Sequence, residues 1–254
     1  MKIYRYKYKE KISFGVLKEE RLAPISGSIF RKFHTKRGSI PISEVILLAP
    51  VRPTKIVALG RNYKDHAAEM GASLPEEPLI FLKPATCLVG PDEIIVYPKM
   101  SKRVDFEGEL AVVIRKKARL LGDEDDVDDY ILGYTCFNDV TARDLQSKDV
   151  QFTRGKSFDT FAPCGPCVVT DIDPGNLKIK TFLNGKLRQS GNTKNLIFPV
   201  PHLVKFISQI MTLNPGDLIA TGTPAGIGPM VPGDRVDVQI EGIGVLSNRV
   251  MKIK

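Results

Sequence analysis

Hydrophobic positions in this chain fall into many short runs rather than long periodic stretches. Tyr4-Arg5-Tyr6-Lys7-Tyr8-Lys9 alternates strictly, which predicts a strand with an aromatic face and a basic face. Ser13–Leu17 and Arg21–Ile25 read as short returning strands. Lys55–Gly60, Ile80–Lys83, Ile94–Tyr97, Asp105–Ile114 and Ile131–Phe137 have strand length and are bounded by Gly, Pro or polar residues. Asn184-Gly185 marks a two-residue hairpin turn, and Arg235–Ile240 with Val245–Val250 close the chain as strands. Helical spacing is clear only in Pro201–Leu213, through Leu203, Phe206, Ile207, Ile210 and Met211. Arg61–Gly71 reads as a loop and short helix with a glycine stop; Pro75 and Pro78 bar a longer helix, which makes the segment a candidate mobile lid. The expected fold class is mainly β with a few short helices (α+β). Pro-flanked Ala49–Pro53 acts as a linker, dividing the chain into a small β-rich module, 1–52, and a body, 53–254.

With 254 residues, 43% of them hydrophobic, the chain can build a sizeable core. No apolar run approaches membrane-spanning length and the charged N-terminal segment lacks a signal-peptide core, so a soluble cytoplasmic protein is expected. The net charge of +8 sits entirely in the first 40 residues, which hold eleven Lys or Arg against three acids. The balanced remainder argues against a body that coats nucleic acid. The basic, aromatic N-terminal strand keeps nucleic-acid binding as an alternative, because bases stack on aromatics beside basic residues.

Cys164-Gly165-Pro166-Cys167 has the spacing of a redox pair, yet it runs into the β-branched Val168-Val169-Thr170 rather than a helix. Without a helix N-terminus nothing lowers the thiol pKa, and Cys87 and Cys136 lack paired spacing for zinc. The acidic run Asp123–Tyr130 lacks the pattern of a calcium loop and reads as a solvated helix start. Gly222–Pro229 is glycine-rich but opens no helix, which disfavours a phosphate cradle.

The chemistry concentrates elsewhere. On a strand Glu107 and Glu109 project to one side with Gly108 between them. Two facing carboxylates repel unless a cation neutralises them or one takes up a proton, and a hard divalent metal satisfies both. The simpler alternative is a pair of solvated charges at a strand end. Asp139 is a third carboxylate at a strand end, with Arg143 and Gln146 on a following helical turn. Lys156 follows a glycine in a loop. His66 and Glu69, three apart, share a helical face, as an ordinary surface pair also would.

Six motifs in order carry a resemblance: Gly60-Arg61-Asn62-Tyr63 with His66 and Glu69; Phe81-Leu82-Lys83-Pro84; Glu107-Gly108-Glu109-Leu110; Asp139 through Gln146; Lys156-Ser157-Phe158-Asp159; and Thr221-Gly222-Thr223-Pro224 with Gly226 and Gly228. Together they resemble the fumarylacetoacetate hydrolase superfamily, in its short members related to acylpyruvate hydrolases and 2-hydroxyhepta-2,4-diene-1,7-dioate isomerases. The resemblance implies a mixed β-sandwich roll, a homodimer, and a Mg²⁺ or Mn²⁺ site formed by Glu107, Glu109 and Asp139. It implies His66 and Glu69 as a lid dyad, Lys156 as the active-site lysine, and Arg143, Gln146 and Thr223 beside the substrate. A 2-oxo acid chelates such a metal, and a Lewis acid there stabilises an enolate. The expected activity is hydrolysis or decarboxylation of an acylpyruvate or oxo-dicarboxylate, with keto-enol or double-bond isomerisation as the alternative. The hydrolase that gives the family its name has a further carboxylate ligand upstream of its histidine. Here only Asp65 lies between Ile56 and His66, so fumarylacetoacetate is not the expected substrate.

Overall fold

The computed structural model describes residues 1–69, 71 and 73–252; Met70, in the expected lid segment, lies outside them. Its centre is the strand Gly108–Ile114, every residue of which is buried. Leu110, Val112 and Ile114 face one apolar cluster, together with Val238 and Leu246 and with Leu203, Val204 and Ile207. Ala111 and Val113 face a second, with Ile56, Ala58, Leu218 and Ala220. A strand covered on both faces has no solvent side to mark with polar residues, which explains its unbroken apolar run.

Around this strand a large mixed sheet is laid out. Ile131–Asn138 pairs antiparallel on one side, in register Gly108↔Asn138 and Leu110↔Cys136, and Leu218–Ala220 pairs antiparallel on the other. Ile56–Gly60 then runs parallel to Leu218–Ala220, and Leu79–Lys83 closes that end. In the opposite direction Ala162–Val169 follows Ile131–Asn138, and Lys2–Tyr8 follows it through Lys2↔Val169 and Ile3↔Val168. The N-terminal strands Lys2–Tyr8, Lys11–Lys18 and Arg21–Gly27 therefore continue the large sheet. A second sheet, with Ile94–Val96, Gly244–Met251, Arg235–Ile240, Lys178–Leu183 and Lys186–Asn192 in that order, packs across it as a sandwich. Asn184 and Gly185, at φ 51° and 76°, turn its hairpin as expected.

The α-helices among the described residues are α1 (Lys64–Glu69), α2 (Arg143–Lys148), α3 (Thr153–Lys156) and α4 (Val200–Ile210), all short. None of the described helices is long and apolar enough to cross a membrane.

Several local expectations are corrected. Asp105–Ile114 is interrupted at Glu107, where the chain leaves a small three-stranded sheet (Val104–Phe106 with Thr141–Ala142 and Gly228–Met230) for the large one. Lys156 ends helix α3 rather than lying in a loop. Helix α4 buries Leu203, Val204 and Ile207, while Ile210, at its final turn, is exposed. On the first strand Tyr4 and Tyr6 are buried, but so is Arg5, whose Nη1 donates to the Ala49 carbonyl at 3.1 Å. Ile46–Leu48 pairs antiparallel alongside Arg5, Tyr6 and Lys7, which brings the Ala49 carbonyl within reach of the Arg5 guanidinium.

Cys164 and Cys167 lie in mid-strand, as free thiols on opposite faces, Cys164 in one core cluster and Cys167 in the other. Residues three apart on a strand point apart. Burial pushes Cys164 up to about 12 and Cys167 to about 11, the reverse of a redox-active thiol.

Candidate active site

Glu107, Glu109 and Asp139 each bring one carboxylate oxygen within 4.8 Å of the others, and all three side chains are buried. The backbone enforces this meeting. Glu107 occupies the break between two strands, where its N–H donates to Asn138 Oδ1 (2.9 Å) and its carbonyl accepts from Asp139 N–H (2.9 Å). Glu109 stands two residues on, and its Oε2 accepts the Gly222 N–H at 2.8 Å. Gly222, at φ 101°, adopts a backbone conformation that suits glycine.

Three cations are packed among these acids. Lys156 Nζ donates to Glu107 Oε2 (2.8 Å) and Asp139 Oδ2 (2.6 Å). Arg143 bonds Glu107 through Nη2 and Asp105 Oδ2 through Nε (2.9 Å), and its Nη1 reaches Gln146. Lys83, wholly buried, donates to Asp139 Oδ1 (2.6 Å), the Lys156 carbonyl (2.6 Å) and the Val140 carbonyl (3.3 Å). Burial alone would raise the Glu107 pKa, but Lys156 and Arg143 hold it well below the usual carboxylate range. Burial would lower Lys156, and Asp139 and Glu107 outweigh it, so this lysine stays charged. Glu109 differs. Burial, Asp139 and Glu107 all push its carboxyl well above the usual range.

That contrast tests the site for a metal. The donor set is all oxygen, which suits Mg²⁺ or Mn²⁺. Glu109 has no cationic side chain within ion-pair distance among the described residues, while Glu107 and Asp139 do. The residues fit a divalent cation held by Glu107, Glu109 and Asp139.

These groups open on a cavity of about 260 Å³, whose wall includes His66, Arg143, Gln146, Phe152, Lys156 and Thr223 with Glu107 and Glu109. Asp139 lies deeper, with both oxygens held by lysines. His66, on α1, is buried, and its Nδ1 lies 3.0 Å from Glu69 Oε2. Glu69 Oε1 accepts the Gly226 N–H at 3.1 Å, tying the dyad to the glycine-rich loop. Thr223 Oγ donates to the Gly108 carbonyl (2.8 Å) and accepts from Gln189 Nε2 (2.7 Å). The structure thus brings together eight of the nine residues singled out from the sequence at or behind the cavity wall, and Glu69 joins through His66.

Lys83, Asp105 and Gln189 were missed as contributors. Lys83 carried a signal, since a lysine ending the apolar run Ile80-Phe81-Leu82 needs a buried partner if the strand is internal. Asp105 and Gln189 carried none, because the site residues they bond, Arg143 and Thr223, are far away in sequence.

The profile described as "Fumarylacetoacetate (FAA) hydrolase C-terminal" matches residues 55–251, the stretch that supplies the whole site. The chain belongs to this family. A second profile, "Rv2993c-like, N-terminal", matches residues 1–50. Among relatives of this fumarylacetoacetate hydrolase family enzyme, oxaloacetate tautomerase YisK of Bacillus subtilis is 44% identical over 224 residues, covering 82% of this chain and 74% of its own. The crystal structure of 5-carboxymethyl-2-hydroxymuconate delta-isomerase from Mycobacterium smegmatis is 39% identical, with a TM-score of 0.93 over the whole of both chains. Maleylpyruvate hydrolase from Sphingobium, solved with manganese(II) ion and pyruvate, is 30% identical, with a TM-score of 0.83 and full coverage of both chains. The family and the mainly β fold expected from the motifs are borne out, and the relatives mark the chain as an enzyme of the hydrolase, isomerase and tautomerase group.

Proposed function

We propose that this enzyme enolises a small 2-oxo acid of the oxaloacetate or acylpyruvate type, by proton transfer between keto and enol forms. The observation that carries this reading is the buried carboxylate triad opening on a small cavity that His66 also lines. A cavity of about 260 Å³ lies just below the roughly 300–1,000 Å³ usual for ligand pockets, which suits a short acid.

When bound by Glu107, Glu109 and Asp139, a Mg²⁺ or Mn²⁺ ion supplies Lewis-acid stabilisation of the negative charge that develops on the keto oxygen. The protein's own groups do the rest. Pairing of Nδ1 with Glu69 leaves the Nε2 atom of His66 to take or return a proton. Lys156, charged and pointing its ammonium among the carboxylates, holds a proton near the developing oxyanion. Arg143 and Gln146 line the wall where the substrate carboxylate would lie, and Phe81 and Phe152, packed edge to face, limit entry of water. Helix α1, bearing His66, is proposed to act as the lid.

A second reading is favoured by the same dyad. An Nε2 that accepts a proton from carbon can accept one from water, so hydrolysis or decarboxylation at the neighbouring carbon–carbon bond would use the same groups. The test is exchange of the oxaloacetate methylene protons in D₂O, followed by NMR with Mn²⁺ or Mg²⁺ present, beside assays for acetylpyruvate cleavage and carbon dioxide release. Exchange faster than cleavage supports tautomerisation. Equal turnover by wild type and Glu107→Ala, or metal binding indifferent to that change, overturns the proposal.

A further inference from the structure

The deep part of the site holds four buried carboxyls, Asp105, Glu107, Glu109 and Asp139, against three enclosed cations, Lys83, Arg143 and Lys156, while a fourth cation, Arg103, meets Asp105 from the solvent side and is half exposed. A divalent cation would leave an excess of one positive charge, which one substrate carboxylate offsets. A 2-oxo dicarboxylate brings a second, and an unpaired charge in an enclosed site is costly. That carboxylate needs a cation at the mouth.

Of the arginines and lysines lining the cavity, Arg143 and Lys156 are committed to carboxylates. Arg61 is the exception. It is exposed, lines the same cavity, and makes no ion pair among the described residues. Its backbone is unusual as well, with φ at 54°, a left-handed conformation that costs a residue with a side chain free energy. The next residue holds it there. Asn62 is buried, its Nδ2 donates to the carbonyls of Thr221 (2.8 Å) and Phe198 (3.1 Å), and its Oδ1 accepts the Phe198 N–H (2.8 Å). Its own carbonyl accepts the Ile197 N–H at 2.9 Å. A fully engaged buried amide thus fixes the chain beside a strained arginine at the rim. Such strain persists only where the surroundings over-determine it, and it gathers at ligand-binding positions.

We propose that Arg61 binds the distal carboxylate of a 2-oxo dicarboxylate and sets the enzyme's preference for diacids over 2-oxo monocarboxylates. The inference rests on the reading of the site as one for 2-oxo acids. Arg61 acts on specificity and takes no part in the proton transfer.

The test is calorimetric binding to Mn²⁺-loaded protein of two pairs matched in length: oxaloacetate against 2-oxobutanoate, and 2-oxoglutarate against 2-oxopentanoate. For at least one pair, wild type is expected to bind the diacid about 10- to 100-fold more tightly, the range of a hydrogen-bonded charge. The preference should shrink as salt is added. R61M should bring the ratio near one, and R61K should keep part of it. R61Q serves if R61M loses Mn²⁺ binding. A preference that survives both neutral variants, or none in wild type for either pair, overturns the proposal. An Arg61-dependent preference in a protein that neither enolises nor cleaves these acids supports Arg61 and removes the proposed reaction. Turnover without such a preference does the opposite.

Discussion

Replacing Gly108 by alanine probes how closely the two sheets meet beneath the carboxylates. Gly108 lies between Glu107 and Glu109 but faces the other way, toward the second sheet. A Cβ there would stand 2.1 Å from Thr181 Oγ1, 3.3 Å from Gln189 Oε1 and 3.3 Å from Val238 Cγ1. The first contact is far inside van der Waals range, so Thr181 must rotate or the strands must part. Thr181 Oγ1 is buried without a hydrogen-bond partner among the described residues, so moving it breaks no bond. Rotation, however, either brings Cγ2 into the same gap or, with the β-hydrogen turned there, presses both γ atoms into a packed interior. Overpacking of this kind costs about 1–3 kcal/mol. At about 2–4 °C per kcal/mol for a protein of this size, the apparent melting temperature should fall by about 2–12 °C. Both backbone groups of Gly108 are engaged, N–H to Gln189 (3.0 Å) and carbonyl to Thr223 (2.8 Å), so a shift there is transmitted to the flanking glutamates and should also weaken Mn²⁺ binding. The assay is thermal unfolding of G108A, T181A and the double variant, with Mn²⁺ titration of each. Removing the Thr181 side chain beyond Cβ should recover at least about 1 kcal/mol of the loss as coupling between the two sites. G108A melting within about 1 °C of wild type, or no recovery in the double variant, would refute the steric argument.

Three further outcomes follow from the charges and thiols. In E109Q, unfolding without added metal should lose a pH dependence that wild type shows. Between the ordinary carboxylate range and its raised value, folded Glu109 keeps a proton that the unfolded chain has released, so wild-type stability falls as pH rises. Glu107 is shifted downward and acts in the opposite sense at lower pH, leaving the upper window to Glu109. Melting curves from about pH 5 to about pH 8 in chelator decide it, and an unchanged slope in E109Q would sink the assignment. K83M strands Asp139 Oδ1 and the Lys156 carbonyl, and loss of one partner of a buried pair should cost about 3–5 kcal/mol in urea unfolding; a loss below about 1 kcal/mol would show that Lys83 does not anchor Asp139. Cys164 and Cys167 should resist a thiol reagent such as DTNB in the native protein and react on unfolding, whereas rapid native labelling would contradict their burial.

The carboxylates were legible because strand geometry is simple. A period of two predicts Glu107 and Glu109 on one side, and they do meet although Glu107 falls in the break between two strands; Asp139 follows an apolar strand that had to pair nearby. The cations were less so. Lys83 lies 56 residues from Asp139 and 73 from the Lys156 carbonyl, so its burial depends on pairings that periodicity does not encode. Lys156 was expected in a loop, although Thr153–Lys156 closes one helical turn against helix α2, where Gly155 sits against the backbone of Gln146. The aromatic and basic strand misled at Arg5 because the alternation of one strand cannot report the Ala49 carbonyl, 44 residues downstream, that takes up the Arg5 guanidinium. In α4 the spacing identified the helix, but its buried stripe depends on where the helix stops, and it stops before Met211 turns extended.

The join between Lys2–Tyr8 and Ala162–Val169 bears on how the protein can be handled. Lys2 and Ile3 lie against Val169 and Val168, residues with almost no exposed surface. A truncation that keeps only the part after the linker would strip that flank and leave open N–H and C=O groups along an apolar edge, a ready template for adding a strand from another molecule. Such a fragment should precipitate or form ordered aggregates even with every group of its pocket intact.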